Sequence, residues 1–290
     1  MDVTLPTTID EVVSARADAP DAVLLAGGTD LMVAVNAGWL NPTGVIALRS
    51  VVELAQWRLD GDELVIGAGV TYERMLREGL AASSPGLADA ARTVGSPQIR
   101  SAGTIGGNLA TASPAGDTLP VLVALGAVVE LAGPDGRRSL PMQEFTTGPK
   151  RTALAPGEVI TAVRVPVASG PQQYRKVGVR NAMVIAVASV AVALDGDRRS
   201  VGVGLGSVGP VPLSAPGASA FAAEAIDWSA DRPTLHEVDA AVRFGELVAA
   251  ASSPIDDHRS TAAYRRLAIG VLAERCLRTA CAPAVGEDAA

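Results

Sequence analysis

Residues 101–117 read SAGTIGGNLATASPAGD, and the three glycines in that run, Gly103, Gly106 and Gly107, restrict what the surrounding chain can build. Glycine reaches backbone angles closed to other residues and lets a second backbone or a ligand approach the main chain closely. A second glycine turn, LLAGGTDL at residues 24–31, lies between an apolar run and a segment that opens as a helix from Thr29 or Asp30. Each turn is rich in backbone N–H groups and suits an anion. Each also fits a plain strand-to-helix turn. The first is no Walker A loop, since no Gly-Lys-Ser/Thr follows, and it lacks Gly-x-Gly-x-x-Gly spacing.

The elements around these turns predict an α+β protein. TTIDEVVSARADA opens a helix capped by Thr8 or Thr7, with Asp10 and Glu11 in its first turn. AVLL and GVIALR read as strands on either side of the first glycine turn, so residues 1–55 form a small α/β unit. A hairpin on Asp60-Gly61, two short helices, the glycine loop, a helix after Asp117, a second hairpin on Pro134-Asp135-Gly136 and a strand ending near 166 fill residues 56–166. VASGPQQ, 167–173, reads as a linker. Beyond it, residues 174–282 predict three strands and two long helices covering one face of their sheet, with a frayed tail from Pro283.

Composition removes several function classes. The net charge of −7 argues against a nucleic-acid partner. No basic leader precedes an apolar run, and AMVIAVASVAVAL at 182–194 is too short for a bilayer, so a cytoplasmic protein without membrane insertion is expected. Two cysteines, Cys276 and Cys281, cannot hold an iron–sulfur cluster, which takes four ligands. His236 and His258 share no neighbourhood with them, and Ser113 lacks a nucleophile elbow, so no catalytic side chain or metal site is expected. A bound cofactor is then the natural source of chemistry. Two glycine turns, each followed by Thr or Asn and an acid, suit a diphosphate, with Asp30 or Asp117 accepting from sugar or ribityl hydroxyls.

LLAGGTDL, SPQIRSAGTIGGNLATASPAGD and STAAYRRLAIGVLAERCL, in this order and at these separations, resemble the FAD-binding medium subunit of molybdenum hydroxylases, the family of xanthine dehydrogenases and aerobic carbon monoxide dehydrogenases. The resemblance spans nearly the whole chain. It implies a PCMH-type FAD-binding fold of two α/β subdomains plus a C-terminal antiparallel sheet with helices. By position it implies cofactor contacts from Leu24, Leu25, Ala26, Gly27, Gly28, Thr29, Asp30 and Leu31, from Thr104, Ile105, Gly106, Gly107 and Asn108, and from Asp117 near the ribityl and sugar region. Ser101 stands where the family often has Asn. Val187 stands where xanthine dehydrogenases carry a lysine near the flavin ring, with Lys176 or Tyr174 as other groups that approach it.

What the resemblance implies for function is an electron-transfer subunit. Electrons taken at a molybdopterin cofactor on a large subunit pass through 2Fe-2S clusters of a small subunit and leave through FAD on this chain to an external acceptor. Two other readings stay open: a self-contained flavoprotein reductase or oxidase, and a scaffold that has lost its cofactor.

Overall fold

A computed structural model describes residues 2–229 and 232–281; the tail expected to fray from Pro283 lies outside the described residues. The fold is α+β, and its contacts divide it into two units. The first holds 1–83, 91–113 and 126–166; the second holds 84–90, 114–125 and 167–290. Two runs inside the stretch read as 56–166 thus make their contacts with the C-terminal elements.

The first unit carries two sheets. The smaller is parallel, with Gly44–Ala47 between Asp2–Thr4 and Val23–Leu25. Helix Ile9–Asp18 is capped by the Thr8 hydroxyl, which accepts from the Glu11 N–H, while the Glu11 carboxylate accepts from the Thr7 N–H and hydroxyl. The larger sheet is antiparallel and five-stranded, in the order Trp57–Asp60, Glu63–Gly67, Val159–Pro166, Val128–Gly133, Gly136–Pro141. Both expected hairpins form: Gly61 (φ 66°) and Gly136 (φ 108°) take the positive backbone angles their turns require. Leu64, Ile66, Val129, Val163 and Val165 from this sheet are wholly or nearly wholly buried, together with Ile105 and Leu109.

The second unit is built on an antiparallel sheet ordered Gln172–Val177, Ala188–Asp195, Ser200–Gly206, Leu213–Ser214. Its first strand begins inside the run read as a linker, because Gly170 donates to Leu194 and Leu194 to Pro171 at the strand's edge. The strand read from 182 starts at Ala188 instead; Met183 has a positive φ, and it and Ile185 are exposed.

Strand Ser200–Gly206 alternates valine or leucine with glycine. Val201, Val203 and Leu205 face a core shared with helices Pro216–Ala225, Ala240–Ala251 and Ala262–Ala280. Gly202, Gly204 and Gly206 face helix Leu119–Ala124: a Cβ on Gly202 would overlap the Ala124 carbonyl oxygen, and one on Gly204 would lie 2.7 Å from the Pro120 carbonyl carbon. Helices therefore cover both faces of the sheet, where the sequence suggested one. Only glycine permits the second contact, since the helix backbone rests directly on the strand backbone.

Candidate functional site

Strand Val23–Leu25 ends in the first glycine turn. Gly28 has φ +71°, which turns the chain toward helix Leu31–Asn36, and Gly27 presses against residues 102–103 so closely that a Cβ would overlap the Ala102 carbonyl oxygen. The backbone N–H groups of Gly27, Gly28, Thr29 and Asp30 meet no acceptor among the described residues. Successive unpaired amides in a half-exposed loop form a concave, electropositive surface suited to an anion.

The second glycine run is helical, which corrects its reading as a loop. Helix Pro97–Ala102 is capped by Ser96, Gly103 turns the chain, and helix Ile105–Thr111 follows with Thr104 as its cap. The amides expected to be open are used internally: Ile105 donates to Val70, Gly106 to Ala68, and Gly107 to the Thr104 hydroxyl. Two of the glycines serve close packing. A Cβ on Gly106 would stand 2.6 Å from the Ala68 Cβ, and one on Gly103 would stand 2.7 Å from the Tyr72 ring. Gly107 differs, for a Cβ there would meet only the Thr104 hydroxyl, at 3.1 Å. The helical period was present in the sequence, since Ile105 and Leu109 are buried one turn apart behind the cap Thr104. The adjacent glycines masked it.

The first turn and helix Ile105–Thr111 line one cleft of about 180 Å³ in the first unit. Of the expected site residues, it brings together Leu24, Ala26, Gly27, Gly28, Thr29, Asp30, Leu31, Thr104, Gly106, Gly107 and Asn108. Leu25 and Ile105 are not among the lining residues, and Ile105 is wholly buried. Sequence reading missed the apolar part of the lining, including Leu48, Leu54, Leu154, Val159 and Ile160. These come from four separate segments with no local signature. The Thr111 hydroxyl donates to the Asp30 carboxylate at 3.0 Å, joining the two expected motifs.

Asp117 belongs to the second unit. Its carboxylate accepts from the Tyr174 hydroxyl at 2.8 Å and from the Lys176 ammonium at 2.8 Å, with both charged side chains nine-tenths buried. Lys176 also donates to the Val184 carbonyl at 3.2 Å. Val187 is buried, and its carbonyl accepts from the Arg265 guanidinium, which also donates to the Ser207 carbonyl and to Asp257. Ser101 donates to the carbonyl of Pro97. Burial raises the Cys276 thiol to about 12 and the Cys281 thiol to about 11, so neither is a nucleophile at neutral pH. Among the described residues, no group of three or more His, Cys, Asp or Glu is arranged to hold a metal, and no helix is long and apolar enough to cross a membrane.

Two family models match this chain. One, described as FAD binding domain in molybdopterin dehydrogenase, covers residues 1–168, and one, described as CO dehydrogenase flavoprotein C-terminal domain, covers residues 173–280. The carbon monoxide dehydrogenase medium chain of Afipia carboxidovorans is 33% identical over 268 residues, 90% of this chain and 89% of that protein. The nicotinate dehydrogenase FAD-subunit of Eubacterium barkeri is 34% identical over 205 residues, 68% of this chain and 69% of that protein. Among solved structures, carbon monoxide dehydrogenase from Hydrogenophaga pseudoflava aligns with a TM-score of 0.86 at 29% identity, over 97% of this chain and 98% of the other. Quinoline 2-oxidoreductase from Pseudomonas putida 86 aligns with a TM-score of 0.87 at 25% identity, over 97% and 96%. These relatives are oxidoreductase subunits, and the motif order, the α+β fold and the matches agree. The chain belongs to the FAD-binding medium subunits of the molybdenum hydroxylase family.

Proposed function

We propose that this chain binds FAD in the cleft of its first unit and carries electrons within a cytoplasmic molybdenum hydroxylase complex, from a 2Fe-2S cluster on a small partner subunit to an external acceptor. The observation that carries the reading is the run of unpaired amides at Gly27, Gly28, Thr29 and Asp30 beside the open face of Gly107 in one cleft. The amides would donate to the diphosphate, whose charge needs several donors at once. Gly107 would leave room for the dinucleotide against the helix wall. Leu48, Leu54, Val159 and Ile160 would offer an apolar surface to a flat ring and exclude water from it.

When bound, FAD supplies the redox chemistry that the side chains lack, accepting electrons singly or in pairs. With only two cysteines, both buried, the chain leaves cluster binding to a partner. Substrate oxidation then belongs to a large molybdopterin subunit, consistent with the medium-chain and FAD-subunit names of the relatives. Visible absorbance of the purified chain, alone and co-expressed with candidate large and small subunits, tests this. Stoichiometric FAD bleached by substrate only with the partners present is the expected result. Flavin reduced by a small substrate in the isolated chain would establish a self-contained flavoenzyme, and no flavin under any condition would leave a scaffold.

A further inference from the structure

The two walls of the cleft are held very differently. Helix Ile105–Thr111 buries Ile105, Gly106 and Leu109 and is a fixed part of the core. Helix Leu31–Asn36 buries none of its residues, although five of its six side chains are apolar, and Met32 and Val33 are exposed. Few buried contacts mark a segment that opens at low cost. Asp30 stands at this helix's N-cap position but makes no capping bond. Its carboxylate instead reaches across the chain to the Thr111 hydroxyl, 81 residues away, and both residues line the cleft.

We propose that Asp30 and Thr111 are positioning residues that act as a clasp. Their hydrogen bond ties the weakly packed wall to the fixed one, sets the separation of the Gly27–Asp30 amides from Gly107, and slows release of a bound dinucleotide. This goes beyond the FAD assignment and rests on it. Asp30 thereby acts through the wall it tethers, and its carboxylate is directed to a protein hydroxyl rather than to a cofactor hydroxyl.

The test uses the full chain loaded with FAD, with dissociation followed by recovery of flavin fluorescence, and the FAD-free chain, with amide hydrogen exchange at Met32, Val33 and Ala34. The amides of Met32 and Ala34 bond to the carbonyls of Gly28 and Asp30 within the same wall, so they exchange when this short, unburied helix unwinds, the way it opens. Thr111→Val and Asp30→Ala should each speed FAD release about fivefold, the scale of one exposed hydrogen bond. Thr111→Ser, which keeps the donor, should restore the slow rate. The double variant should release FAD about as fast as either single one, since both remove the same bond. Exchange in the FAD-free Thr111→Val chain should be faster at these three amides.

Unchanged exchange would show that the clasp does not hold the wall. Single effects that multiply in the double variant would show that each residue contacts the cofactor separately. Either result overturns the proposal. Failure of the unmodified chain to take up FAD would instead refute the assignment of the cleft, and with it any part in retention, while exchange still reports whether the clasp is made.

Discussion

Gly27→Ala and Gly107→Ala together separate what the glycines do for the fold from what they do for the cofactor. A methyl at Gly27 would lie 2.5 Å from the Ala102 carbonyl carbon and 3.0 Å from the Gly103 Cα, as well as overlapping the Ala102 oxygen. Carbon contacts relax at about 3.5–4.0 Å, so one backbone must retreat by roughly 1 Å. Overpacking of this kind costs about 1–3 kcal/mol, and each kcal/mol lowers Tm by about 2–4 °C in a domain of this size. At Gly107 the same methyl meets only the Thr104 hydroxyl, at 3.1 Å, and it replaces glycine inside a helix. That exchange favours the helix by up to about 1 kcal/mol, so the thermal midpoint should hold or rise slightly. The FAD affinity should move the other way, because the methyl projects where the dinucleotide is placed. A loss of about 1.4 kcal/mol, tenfold in Kd, is expected. Differential scanning fluorimetry of the FAD-free chains and fluorescence titration with FAD measure the two quantities. Wild-type affinity in Gly107→Ala would refute placement of the cofactor against this helix, and an unchanged midpoint in Gly27→Ala would refute the packing of the two turns.

Lys176→Met should destabilise the chain by about 3 kcal/mol in urea denaturation, because it removes the buried ammonium that pairs with the nine-tenths buried Asp117 carboxylate. Adding Asp117→Asn should recover part of that loss. Ser207 holds a positive φ of 62° with a buried hydroxyl that has no partner among the described residues, so Ser207→Gly should raise stability by about 1 kcal/mol; a lower denaturation midpoint would count against the strain. Burial works to raise the Asp257 pKa, but the Arg259 and Ser260 N–H groups and the Arg265 and Arg259 guanidinium groups outweigh it and hold the carboxyl well below its usual range. A depressed folded-state pKa stabilises the protein above the unfolded value of about 3.9 and loses that effect as pH falls further. Denaturation midpoints should therefore drop more steeply below about pH 4 in the unmodified chain than in Asp257→Asn. Parallel pH profiles would exclude the ion-pair cluster as the cause.

Local chemistry was legible in the sequence where one segment contained its own explanation. The Thr8 cap and the turns at Gly61 and Gly136 are of this kind, each needing only neighbours within a few residues. Elements whose reason lies far along the chain were not. All three residues of strand Asp2–Thr4 are exposed, and the strand exists because it pairs with Gly44–Ala47. Helix Pro216–Ala225 carries a proline at its start and six alanines or glycines, a composition that reads equally as loop. Both motifs lie on the walls of one cleft, but they do not play the like roles that the sequence suggested. Gly27 and Gly106 fill a packing need, the open amides belong to the first turn alone, and the apolar lining comes from residues whose proximity is created only by the sheets.

The glycine face of Ser200–Gly206 has a consequence for where this gene product can be divided. Residues 114–125, encoded well before the sheet they complete, supply the helix that lies on Gly202, Gly204 and Gly206. A fragment starting at 167 would expose three glycines of bare backbone, with no side chain to shield them from water or from another strand. The break near 168–173 between the two matched families is therefore no natural seam for expressing the C-terminal part alone. A boundary for expressing the C-terminal sheet must keep residues 114–125 with it.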